Sequence, residues 1–84
     1  MTRTTKRKEE TQAETELRHN VLGYLVAINP RAAWMSTILD HFDGYGQTAV
    51  RKQVRRLIVD GLVKVYAGMY HASENGITTH QKAV

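Results

Sequence analysis

Between residues 47 and 60, Val50, Val54, Leu57 and Ile58 recur at spacings of three, four and one, which places them on one side of a helix. No uninterrupted apolar run in the chain is longer than Tyr24 to Ile28, five residues. A core therefore has to be assembled from the faces of short elements, because no segment can supply one alone. Eighty-four residues make one small domain. A chain of that size buries only about 60% of the surface its unfolded form exposes. With no cysteine, neither disulfides nor thiolate zinc sites can reinforce it.

Punctuation along the chain divides it into elements. Residues 1–13 are polar, with Met1 and Ala13 the exceptions, and read as a disordered arm. From Glu14 to Ile28, the residues Leu17, Val21, Tyr24, Leu25 and Ile28 form a helical stripe that Asn29-Pro30 closes. Leu22 and Val26 lie roughly opposite that stripe, so either another part of the domain or a second subunit must cover them. Ser36 is the expected N-cap of a second helix, Thr37 to about Phe42. Asp43-Gly44-Tyr45-Gly46 reads as a turn. A third helix spans about 47–60 and stops at Gly61. Residues 62–66 and 69–72 are β-rich around Ala67-Gly68 and predict a hairpin. Residues 73–84 read as a loose tail, leaving 14–72 as the folded domain. The expected class is mainly α with a small β-hairpin, α+β. Tyr24, Trp34 and Phe42 are its expected core aromatics.

The net charge is +4. Arg3, Lys6, Arg7 and Lys8 are offset by Glu9, Glu10, Glu14 and Glu16, so the excess falls on Arg51, Lys52, Arg55 and Arg56. Lys52, Arg55 and Arg56 lie with Thr48 opposite Val50 and Val54, Arg51 and Gln53 stand on the two shoulders, and the third helix holds no acid before Asp60. Arg51–Arg55 and Lys52–Arg56 are like-charge pairs at i, i+4, each costing a few tenths of a kcal/mol. Phosphates would neutralise that repulsion, and a double-stranded DNA major groove admits one helix read from its N-terminal side. Gln47 and Thr48 stand at that end. Gln pairs with adenine and Arg with guanine, while Lys52, Arg55 and Arg56 suit phosphate.

The run Thr48-Ala49-Val50, with Val54, Leu57 and Asp60-Gly61-Leu62-Val63-Lys64, resembles the recognition helix of the winged helix-turn-helix superfamily passing into its wing. It is similar to the form in small prokaryotic regulators of the MarR and ArsR type, and the likeness covers roughly residues 15–72. It implies a three-helix winged helix-turn-helix, with residues 34–42 as the first helix of the helix-turn-helix. It also implies DNA contacts at Thr48, Arg51, Lys52 and Arg55, with Gln47 at the helix entrance. Lys64 and Tyr66 are candidates for the DNA backbone. The wing tip, Tyr66-Ala67-Gly68-Met69, carries no cation. The basic arm, Arg3 to Lys8, is a candidate for the missing reach into a minor groove.

The expectation is a prokaryotic or phage DNA-binding transcriptional regulator, with Leu22 and Val26 as a candidate homodimer face. The alternative is a protein-interaction module on the same fold, such as a phage-encoded inhibitor or an assembly adaptor. Enzymatic chemistry is not expected. Ser36 and Ser73 lack a nucleophile-elbow context, and Gly44 and Gly46 lack a following Lys-Ser or Lys-Thr. His19, His41, His71 and His80 have no metal-ligand spacing, so neither metal nor cofactor is expected. Lacking a membrane-length apolar run or a signal-type N-terminus, the chain is expected in the cytoplasm, off the membrane.

Overall fold

The computed structural model describes residues 11–83. The elements run α1 (Gln12–Ile28), β1 (Ala33–Trp34), α2 (Met35–His41), a 3₁₀ turn (Asp43–Tyr45), α3 (Gln47–Val59), β2 (Val63–Tyr66), β3 (Met69–Ala72) and α4 (Glu74–Ala83). The protein is mainly helical with a small antiparallel sheet of order β1-β3-β2. Leu25, Ile38 and Leu57, from α1, α2 and α3, are among its largest fully buried side chains. Each contributes about 1.5–3 kcal/mol of transfer free energy.

Helix α1 begins earlier than the expected Glu14. Thr11 is its N-cap, with Thr11 Oγ1 accepting from the Glu14 amide at 3.1 Å and Glu14 Oε1 accepting from the Thr11 amide at 2.9 Å. This reciprocal capping box satisfies two orphan donors and draws residues 12 and 13 out of the expected arm. Arg3, Lys6, Arg7 and Lys8 lie outside the described residues.

Ser36 does not cap α2. The helix starts at Met35 with Trp34 at the N-cap position and no side-chain cap. Strand β1 fixes that start, since Ala33 pairs with Tyr70 and Trp34 with Met69. The expected two-stranded hairpin thus gains a third strand. Trp34 is also not a core residue; it is 52% exposed, whereas Phe42 is buried.

The C-terminus of α3 follows expectation. Gly61 takes φ +78, its amide donates to the Ile58 carbonyl, and the Leu62 amide donates to the Leu57 carbonyl. That is a Schellman ending, which a residue free of Cβ strain favours. The hairpin then turns through Ala67 and Gly68, both at positive φ.

The expected loose tail is instead α4. Ser73 Oγ donates to the Gly61 carbonyl at 2.7 Å and accepts from the Gly76 amide at 3.0 Å, so one buried hydroxyl joins the end of α3 to the start of α4. Helix α4 packs on α1. A Cβ at Gly76 would overlap the Leu62 carbonyl oxygen and stand 3.2 Å from Leu22 Cδ1. Leu22 is only 5% exposed. Val26 is half-buried and packs against the core. The candidate dimer face is therefore corrected: Leu22 is covered from within the chain, by the segment expected to be loose.

Candidate nucleic-acid interface

Helix α3 begins after Gly46, at φ +87, with no side-chain cap on its first turn. An L side chain at that φ is strained, which suits a glycine there. Gln47 and Thr48 are exposed at this end. The first-turn amides lack a side-chain partner from the N-cap and point along the positive end of the helix dipole.

The inward face of α3 is rotated from the expected one. Val50, Gln53, Val54 and Leu57 are buried, Gln53 at 1%, and Ile58 turns outward. The cause lies in α1, whose Arg18 Nη1 donates to Gln53 Oε1 at 3.2 Å. A buried amide is tolerable when hydrogen-bonded, so Gln53 takes a core place that its own helix gives no reason to assign. Thr48, Arg55 and Val59 consequently form the middle of the outward face.

The four cations separate into two pairs. Lys52 Nζ meets Glu14 Oε2 at 2.8 Å, and Arg56 Nε meets Asp60 Oδ2 at 3.1 Å. Glu14 is held below the ordinary value of 4.5, first by the hydrogen bond from Lys52 and then by that from the Thr11 amide. The carboxylate absent from α3 is thus supplied by α1, whose first turn lies beside the helix. Arg51 and Arg55 are exposed and form no ion pair among the described residues. They line a cleft with Met35, Val54, Ile58 and Tyr70. Gln47 and Arg51, at i, i+4, lie on one side of the helix, with Thr48 and Arg55 beside them.

Lys64 does not join this group. Register pairs Val65 with Tyr70 and Lys64 with His71. Cross-strand partners share a sheet face and neighbours along a strand alternate, so Lys64 is on the face opposite Tyr70. The sites expected from α3 therefore assemble as Gln47, Thr48, Arg51 and Arg55. Lys52 and Arg56 are engaged by carboxylates at the flank, and Lys64 is turned away.

Among the described residues, no group of three or more His, Asp and Glu side chains is arranged to hold a metal ion. Nor is any described helix long and apolar enough to cross a membrane. No protein-family model matches the chain, and no curated protein or solved structure matches it either.

Proposed function

We propose that this chain is a winged helix-turn-helix protein that binds double-stranded DNA as a transcriptional regulator, with α3 in the major groove. The observation that carries the reading is the strip Gln47, Thr48, Arg51 and Arg55. It is exposed, contains no carboxylate, and combines hydrogen-bonding and forked cationic side chains at and beyond an uncapped helix start. Gln and Arg are the side chains whose geometry matches adenine and guanine edges, and a helix N-terminus accommodates phosphate. The order helix, strand, helix, helix and two-stranded hairpin agrees with the resemblance noted in the sequence. Arg51 and Arg55 read bases or clamp phosphate from the centre of the strip. Lys52 and Arg56 stand at its flank, engaged by Glu14 and Asp60.

Fluorescence anisotropy with random duplex DNA over a salt series tests the reading. Wild type should bind with an affinity that falls steeply with salt. Arg51→Ala/Arg55→Ala should flatten the log–log slope by about 1.8, or about 0.9 for each phosphate that is no longer neutralised. Absence of binding at low salt, or an unchanged slope in the variant, refutes it.

A further inference from the structure

Away from α3, the outer face of the sheet carries an exposed row of which only Tyr66, at the wing tip, is a candidate for DNA. Register aligns Trp34 with Met69 and Met69 with Tyr66, so all three share one sheet face. Trp34 is 52% exposed and Tyr66 79%. One part of the Trp34 ring lies against the hairpin turn, with Cζ3 3.2 Å from where a Gly68 Cβ would stand. The rest borders a groove of about 260 Å³ between the end of α1, β1 and the start of α2. Tyr24, Ile28 and Met69 give the groove an apolar lining, Thr37 supplies a hydroxyl and Arg31 a cation. No Asp or Glu lines it, and Arg31 has no ion pair among the described residues.

Trp, Tyr, Met and Arg are the side chains enriched where proteins meet, and a half-exposed Trp beside a groove is the kind of anchor on which binding energy concentrates. The lining charge selects among occupants. A second copy docked groove to groove would add another Arg31 and no lining carboxylate to meet it. A single-stranded nucleic acid needs open ring faces, and part of the Trp34 ring is taken up by Gly68. An acidic segment with one apolar side chain meets both the cation and the groove.

We propose that this groove docks an acidic protein segment, which seats one aliphatic or aromatic side chain beside Trp34 and Met69 and places a carboxylate on Arg31. The surface is separate from the α3 strip, so the protein can hold duplex DNA and a protein partner together.

The test uses the full chain as bait for displayed random peptides of about twelve residues, a length that spans such a groove. Arg31→Ala/Trp34→Ala serves as the counter-bait. Enriched peptides should combine Asp or Glu with an apolar anchor and bind wild type at least about tenfold more tightly than the variant, or about 1.4 kcal/mol. They should also shift the emission of Trp34, which is the chain's single tryptophan and so reports on the groove directly. Arg31→Ala alone should weaken binding with the melting temperature unchanged, which separates loss of docking from loss of folding. The variant's affinity for duplex DNA should stay within about twofold of wild type, so failure here is distinct from failure of the DNA reading. Enriched peptides without acidic residues, or equal binding to the variant, overturn the proposal. Stronger quenching of Trp34 by oligo-dT than by any enriched peptide also overturns it, in favour of a single-stranded nucleic acid.

Discussion

Replacing Glu14 with Gln removes the carboxylate charge that holds Lys52 while retaining a side chain that can complete the capping box. Lys52 Nζ lies 2.8 Å from Glu14 Oε2, so in wild type this cation is already neutralised before any phosphate arrives. Freed, it can displace one more counterion from duplex DNA. The log–log salt slope should then steepen by about 0.9. Over a fourfold fall in salt, from about 200 to about 50 mM, that is a further gain of about 3.5-fold in affinity relative to wild type. Lys52→Ala should leave the slope nearly unchanged, because the lysine it removes was engaged. The double variant should match Lys52→Ala, which makes the set a complete cycle for the pair. Anisotropy titrations at four or more salt concentrations measure each slope, and circular dichroism confirms that α1 persists. A Glu14→Gln slope equal to wild type, or a Lys52→Ala slope shallower by about 0.9, would refute the reasoning. Either result would mean that Lys52 leaves Glu14 for phosphate when DNA binds.

Three other outcomes follow from the packing. Gly76→Ala drives a Cβ into the Leu62 carbonyl, which cannot yield as a flexible side chain would. Overpacking of this kind costs about 2 kcal/mol and should lower the melting temperature by about 8–16 °C, with amide exchange accelerated first in α4. Gln53→Ala removes the acceptor of Arg18 Nη1 and opens a small void under α3, costing about 1.5–3 kcal/mol in chemical denaturation. The third concerns pH: because the Glu14 pKa is depressed on folding, its stabilising contribution is present above the ordinary value of 4.5 and disappears as pH falls through the lower folded value. Carboxyl-resolved NMR should place the Glu14 midpoint below 4.5 in wild type and nearer 4.5 in Lys52→Ala.

Much of the architecture was legible because it is local. The periodicity of Val50, Val54 and Leu57 and the glycine at 61 specify α3 and its ending, and the Asn29-Pro30 step stops α1. Thr11-x-x-Glu14 also encodes a start signal, but in so polar a stretch composition argued more strongly for an arm. The exposure of Thr48 and Arg55 was legible for a similar reason, since helical period alone sends them outward, with Arg51 on the shoulder. Its flank was not legible, because Glu14 and Lys52 are 38 residues apart and no period within α3 refers to α1.

The chain by itself determines the course of α1 and α3, where they stop and which sign of charge α3 presents, since these depend on neighbours within one or two turns. Only the tertiary structure decides that Lys52 is engaged by Glu14, that Gln53 rather than Ile58 is buried, that Trp34 stays at the surface, and that α4 covers Leu22. Each of these depends on a partner distant in sequence: Arg18 for Gln53, Met69 and Gly68 for Trp34, Leu62 and Gly76 for the seat of α4. Burial and ion pairing are properties of surfaces brought together in space, and a linear pattern carries no record of which surfaces those will be.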